Sequence, residues 1–175
     1  MIYAIRHFIT PWNAQGLLQG RSDISIDTSL KQNKDLAASI QAQIEDIQFD
    51  QVMVSPLNRA IETAQMLGIS EFSVNPIIGE MSFGEYEGKP KLTMIKDFKG
   101  AWENNPMQTS LKPELIELEI RIKEFVTSMR NRDSNTLIIS HGAYIRGLNS
   151  YVRFGSLDRM NQLEVNNGEL LSIDL

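Results

Sequence analysis

Apolar residues along this chain follow two rhythms. Short unbroken runs rich in Ile and Val close on polar or glycine residues, the pattern of strands buried inside an α/β sheet. Residues 1–6, 51–54, 72–78 and 136–139 read as four such strands. Between them apolar positions recur three or four apart, the spacing of a helix with one buried face. Leu30, Ala37, Ile40, Ile44 and Ile47 mark a helix that begins after Asp27 or Thr28. Ser55 and Pro56 supply an N-cap and a proline at the first helical position, and the helix they open runs to Gly68. Leu115, Leu118, Ile122, Phe125 and Met129 mark a strongly amphipathic helix from Pro113, and residues 142–154 a last helix stopped by Gly155.

The less regular stretches carry weaker expectations. Residues 8–27 read as a polar loop punctuated by Pro11, Gly16 and Gly20, and residues 94–103 as a short helix before a loop at 104–106. Residues 163–171 predict two short strands paired across Asn167-Gly168. Met53, Met66, Met81 and Met129 read as core filling. Strands alternating with helices give an α/β fold, a three-layer α/β/α sandwich around a mostly parallel sheet.

Composition narrows the functions this fold could serve. A length of 175 residues suits one domain with a sizeable core. The net charge of −5 argues against general affinity for nucleic acid or an anionic membrane, and no apolar stretch is long enough to span one. An anionic ligand would therefore need its positive groups gathered locally. Disulfide and thiolate chemistry are excluded, because the chain has no cysteine. The first strand begins at the amino terminus and leaves no room for a cleaved signal, which predicts a cytoplasmic location.

The chain holds only two histidines, and both lie at strand exits. His7 follows the first strand and His141 the fourth. Side chains just past the carboxyl ends of such strands line the crevice where open α/β sheets bind ligands. Arg6 precedes His7, Arg59 falls in the first turn of the helix opened by Pro56, and Glu80 follows the third strand. Arginine's planar fork matches phosphate oxygens, and a helix start aims unpaired N–H groups at an anion. A neutral imidazole can attack phosphorus, while a carboxylic acid protonates the leaving oxygen and later activates water. No His-x-x-x-His or Cys-x-x-Cys spacing is present, so the residues suggest neither a metal nor another cofactor.

These residues also resemble the histidine phosphatase superfamily, the phosphoglycerate-mutase-like enzymes. Arg6-His7-Phe8-Ile9-Thr10-Pro11-Trp12-Asn13 is similar to the family's Arg-His-Gly-x-Thr-x-Trp-Asn signature. Leu18-Gln19-Gly20-Arg21-Ser22-Asp23 resembles the Gln-Gly-x-x-Asp segment, and the stretch from Ser55 to Ala64 the Ser-x-x-x-Arg-Ala-x-x-Thr-Ala block. The run from Glu80 to Gly88 resembles the general-acid segment, and Ser140-His141-Gly142 with Ile145-Arg146 the second histidine motif. The five blocks stand in the family's order.

The resemblance implies a phosphoglycerate-mutase-like fold in which His7 is a nucleophile that becomes phosphohistidine. It implies that Arg6, Arg59 and His141 hold the transferring phosphoryl group, with Asn13, Thr10 and the backbone of Gly142 assisting. Glu80 would be the acid and then the base. Gln19, Gly20, Arg21, Glu85 and Tyr86 would lie near the pocket mouth. Two departures stand out: Phe8 replaces the family's glycine, and residues 111–115 lack the Gly-Glu-Ser of many relatives. A positive φ at position 8 would be costly for phenylalanine, whereas a role through the carbonyl alone would not.

The expected function is a metal-independent phosphatase acting on a small phosphorylated metabolite. The alternatives are a phosphoglycerate-type mutase and a catalytically silent phosphoryl-ligand-binding regulatory module. Mutases of the family carry longer covering segments; residues 89–113 supply only a short cap-like cover within a single domain, which favours hydrolysis. Only Phe8 speaks for the silent module.

Overall fold

The computed structural model describes residues 1–130 and 134–175. Strands β1 (Ile2–Arg6), β2 (Gln51–Val54), β3 (Ser73–Val74), β4 (Thr136–Ser140) and β5 (Leu170–Ile173) form one sheet in the order β3-β2-β4-β1-β5. β4 lies at its centre and is buried at every position. That explains why its sequence shows a continuous apolar run rather than an alternation. The first four strands run parallel, and β5 joins β1 antiparallel.

Alternate residues of these strands feed two separate cores. Ile2, Ala4, Met53 and Ile138 pack with α6 (Lys112–Met129) and α7 (Gly142–Phe154) on one face. Ile5, Val54, Leu137 and Ile139 pack with α2 (Lys31–Ile44) and α3 (Asn58–Met66) on the other. The chain is thus the expected three-layer α/β/α sandwich. Met53, Met81 and Met129 are buried, and Met66 packs half-buried against the second core.

Several boundaries differ from the sequence reading. The loop over residues 8–27 contains a short helix, α1 (Pro11–Ala14), closed by a capping box between Thr10 and Asn13. One turn is too short to show an apolar period. α2 begins at Lys31, later than expected, and stops before Ile47.

α3 begins at Asn58 rather than Pro56, because Leu57 is extended; the Ser55 hydroxyl accepts the Leu57 N–H at 3.4 Å and also lies against His141. The Asn58 N–H is taken by Asp23 at 2.8 Å, so this helix start caps on a side chain instead of facing a ligand. The third strand is only two residues long. Pro76 offers no N–H to a ladder, and residues 76–78 form a 3-10 turn instead.

The predicted helix over 94–103 is two helices, α4 (Lys91–Phe98) and α5 (Ala101–Asn104), interrupted by left-handed backbone at Lys99 and Gly100. The expected terminal hairpin does not form. Its Asn-Gly turn is present, but the Gly168 N–H donates to Arg6 O at 2.9 Å and β5 completes the open edge of β1. Residues 163–166 remain outside the sheet.

Between β3 and α6, residues 84–108 fold as two 3-10 turns and the helices α4 and α5. Tyr86, Phe98, Trp102 and Phe83 make successive edge-to-face or tilted ring contacts that hold this segment together. Short backbone bonds tie its start to residues 16–18.

Candidate active site

Parallel pairing of Arg6 with Ser140 sets His7 beside His141, each one residue past its strand. Their rings lie 5.2 Å apart, and both are almost wholly buried. The His7 Nδ1–H donates to the Phe8 carbonyl at 2.7 Å, which leaves the lone pair on Nε2. Burial, followed by the charges of Arg59 and Arg6, holds the His7 imidazole well below the ordinary value of 6.5. It is a neutral base fixed in one tautomer.

Position 8 performs this orientation with backbone alone. Phe8 has no positive φ, its N–H donates to Thr63 Oγ1 at 2.9 Å, and its ring fills the second core. The carbonyl account of the missing glycine agrees with this geometry.

Arg59 is 1 % exposed. Its Nη2 and Nη1 donate to the carbonyls of Gly20 and Ser22 at 2.6 and 2.7 Å, and its Nε donates to His141 Nδ1 at 3.2 Å. Since Nδ1 accepts, the neutral His141 carries its proton on Nε2, which lies 2.6 Å from Ser55 Oγ. Its pKa is also well below the ordinary value, through burial and then Arg59. His141 sits behind Arg59 and His7, with both ring nitrogens engaged by protein.

The loop that receives Arg59 is shaped by Glu87. Its carboxylate accepts the N–H groups of Arg21, Ser22 and Phe83, and a Cβ on Gly20 would collide with it. These hydrogen bonds hold Glu87 below its ordinary pKa against the opposing effect of burial.

Glu80 is buried between two elements. Oε1 accepts from the N–H groups of Met81 and Tyr144, at 2.9 and 3.2 Å, and Oε2 accepts from Ala143 at 3.2 Å. The carboxylate therefore seals the start of α7, and of its four lone-pair sites one, on Oε2, is unclaimed. From α6, Arg121 donates to the carbonyls of Ile77 and Gly79 at 2.8 and 2.7 Å and pins the segment that carries Glu80.

These groups border a cavity of about 260 Å³. Arg6, His7, Asn13, Gln19, Gly20, Arg59, Glu80 and Gly142, all expected from the sequence, line it together. Thr10 does not reach the cavity. It is fully buried, caps α1, and lies 2.9 Å from Gln19 Oε1, so it orients Asn13 and Gln19 rather than a ligand. Of the expected mouth residues, Arg21 pairs with Glu117 at 2.9 Å, Tyr86 is turned into the core and Glu85 pairs with Lys89 at the surface.

The cavity also holds residues the sequence reading left out: Lys91, Met94, Trp102, Arg146 and Asn167. Asn167 Nδ2 donates to the His7 carbonyl at 2.9 Å, from the turn that had been assigned to a hairpin. Arg146 stood inside the second histidine motif, one helical turn from Gly142 on α7, and that spacing was a usable signal. Among the described residues, no cluster of three His, Cys, Asp or Glu side chains is placed to hold a metal ion.

The model of the histidine phosphatase superfamily (branch 1) matches residues 2–175. A Hydrogenobacter thermophilus protein named "Putative phosphoserine phosphatase 2" is 28 % identical, over 99 % of this chain and 89 % of its own length. Fructose-2,6-bisphosphatase TIGAR B of Danio rerio is 30 % identical over 79 % of this chain, which spans 55 % of that protein. The alpha-ribazole phosphatase structure from Shigella flexneri superimposes with a TM-score of 0.78 at 22 % identity, covering 97 % of this chain and 87 % of that one. With a site assembled at the strand ends and a family match running almost end to end, this chain belongs to the histidine phosphatase superfamily, branch 1.

Proposed function

We propose that this chain is a metal-independent phosphatase that hydrolyses small phosphate monoesters through a phosphohistidine on His7. The observation that carries the reading is the bond from His7 Nδ1–H to the Phe8 carbonyl, which presents a neutral Nε2 lone pair among guanidinium groups. A buried base with no competing proton at this position is a nucleophile by construction.

In the first step Nε2 attacks phosphorus and the ester oxygen leaves with a proton from Glu80. Arg6, Arg59 and the Gly142 N–H neutralise the equatorial oxygens. His141 stays neutral behind the phosphoryl group, where its Nδ1 accepts from Arg59 Nε and orients that guanidinium toward the equatorial oxygens. In the second step the Glu80 carboxylate takes a proton from water, the water oxygen bonds to phosphorus, and the P–N bond breaks to regenerate neutral His7.

Residues 89–113 act as a cap on a single catalytic domain. Small phosphorylated metabolites are the natural partners, and their charge confines them to the compartment where they are made. We accordingly assign the activity to the cytoplasm. The relatives' names span phosphoserine, fructose 2,6-bisphosphate and alpha-ribazole phosphate, so they set a reaction class and no single substrate.

The test is chemical trapping during hydrolysis of an aryl phosphate, with and without chelator. Acid-labile, base-stable label should appear on the wild type and vanish in His7→Ala, together with turnover. Label on another residue, or loss of activity on chelation, would overturn the reading.

A further inference from the structure

The turn that precedes β5 is docked on the backbone of Arg6 and His7. The Arg6 N–H donates to the Glu169 carbonyl at 3.3 Å, and the Arg6 carbonyl accepts the Gly168 N–H at 2.9 Å. Arg6 Nη1 donates to the Val165 carbonyl at 2.6 Å. The Glu169 carboxylate closes the turn by accepting the Asn166 N–H, also at 2.6 Å. Gly168 has a φ of +66°, and a Cβ there would lie 2.9 Å from Leu36 Cδ1. Only glycine lets the turn sit this close. Asn167 is thereby held against the nucleophile from 160 positions away.

The way its amide faces is fixed by main-chain atoms. Asn167 Nδ2 lies 2.9 Å from the His7 carbonyl and 3.4 Å from that of Phe8. Both are acceptors only, so the nitrogen end of the amide meets them. The same nitrogen lies 3.3 Å from Asn13 Oδ1. That oxygen also accepts the Thr10 N–H at 3.1 Å, which settles the orientation of the Asn13 amide. The Thr10 hydroxyl has one proton to give, and Gln19 Oε1 at 2.9 Å is nearer to it than Asn13 Oδ1 at 3.1 Å. Asn167 therefore supplies a donor that the Asn13 oxygen needs. With that oxygen claimed from behind, the end of Asn13 left to the cavity is its NH2 group.

We propose that Asn167 is a positioning residue for the phosphatase reaction. One Nδ2 proton anchors it on the His7 carbonyl, and the other holds Asn13 with its NH2 group toward the phosphoryl oxygens. The inference rests on the phosphatase reading above and adds a residue to its machinery. An amide that presents NH2 gives the phosphoryl group a charge-assisted hydrogen bond. The same amide turned over presents an oxygen and repels it. Asn167 acts through Asn13, since its own protons are spent on protein.

The experiment is a double-mutant cycle read in kcat/KM for an aryl phosphate, per folded molecule. Asn167→Ala should cost about tenfold, the worth of one bond to a charged group. An aspartate has the same shape but is ionised at pH 8, and would face three oxygens with no proton to give. Asn13 then turns its NH2 group to it, so Asn167→Asp should cost about a hundredfold. Shape alone would rank these two variants the other way. In an Asn13→Ala background, Asn167→Ala should cost less than about twofold. Asn167→Asp should lose at least about tenfold less there than with Asn13 present, because only repulsion of the substrate anion remains.

Equal losses in both backgrounds would overturn the proposal, since Asn167 would then only support the turn. So would full activity in Asn167→Ala, or an Asn167→Asp variant at least as active as Asn167→Ala. If the wild type turns over no ester, the phosphatase reading fails by itself. The positioning role is then read by calorimetry with inorganic phosphate on the same set of variants. Asn167→Ala should weaken that binding about fivefold with Asn13 present and leave it unchanged without Asn13. Equal weakening in both backgrounds, or no binding of phosphate by the wild type, would sink it.

Discussion

The bond from His7 to the Phe8 carbonyl uses only backbone, and the Phe8 side chain belongs to a different task. It is fully buried among Ile5, Ile40, Val54 and Ile139. Phe8→Gly should therefore lower stability by roughly 3–5 kcal/mol, the range for emptying a buried aromatic site, and leave turnover per folded molecule within a few-fold of wild type. Urea unfolding and kcat on the folded fraction check the two halves. A large gain in kcat would mean that Phe8 impairs the site. At Arg59 the guanidinium serves two carbonyls and one imidazole at once. Arg59→Ala should reduce kcat/KM by about a hundredfold or more. Arg59→Lys should recover only part, because one ammonium cannot meet three acceptors in a plane. Full recovery would make Arg59 a point charge without oriented bonding.

Elements act on the reaction through the segment 77–80. The start of α7 supplies two N–H groups to Glu80, and α6 supplies Arg121 to the carbonyls just before it. The proton-donor role makes a leaving-group prediction. Glu80→Gln should slow phosphorylation of His7 strongly with an alkyl phosphate and far less with an activated aryl phosphate, whose oxygen leaves without a proton. Dephosphorylation still needs a base, so rapid quench should show an aryl-alcohol burst followed by slow turnover. Equal slowing and no burst would move the role away from Glu80. Arg121→Met should reproduce the same asymmetry in weaker form, with Arg121→Lys intermediate. A merely structural Arg121 would lower both rates in proportion, and that outcome would remove it from the positioning of Glu80.

For the molecule as a whole, two buried neutral histidines couple folding to pH. Both are held well below their ordinary value of 6.5, so below that pH the unfolded chain binds protons that the folded chain refuses. Stability then falls on acidification, by about 1.4 kcal/mol per pH unit for each histidine that stays neutral in the fold. It is unaffected by these groups above pH 6.5, where neither state protonates them. Thermal or urea unfolding between pH 7.5 and 5 should show this slope, and His141→Asn should reduce it by about half whatever it does to the baseline. A slope unchanged in that variant would place the dependence on carboxylates instead. Phosphate should oppose the acid loss, because an anion beside the imidazoles relieves the cost of protonating them.

Periodicity was enough to specify the layers. The longer strands and helices announce themselves through the burial of their own residues, and β4 or α6 can be read without knowing what they pack against. Residues at strand exits were legible for the same reason, since a chain buried in a parallel sheet must emerge at a crevice. Short-range signals failed where a distant group competed for the same atoms. Ser55 reads as the cap of a helix from Pro56, but its hydroxyl oxygen accepts from His141, 86 positions away, as well as from Leu57, and the helix starts later with Asp23 on its first N–H. The Asn167-Gly168 turn reads as a hairpin, but the open edge of β1 captures the strand that follows. Arg121 and Lys91 carry no signal in the sequence, and Arg146 only its place in the second histidine motif. Only the folded chain brings Arg121 under the Glu80 segment and Lys91 and Arg146 around one cavity. Local chemistry chooses an element by the faces it must bury, whereas partners across the chain are chosen by which donors and acceptors the packed layers bring within bonding distance.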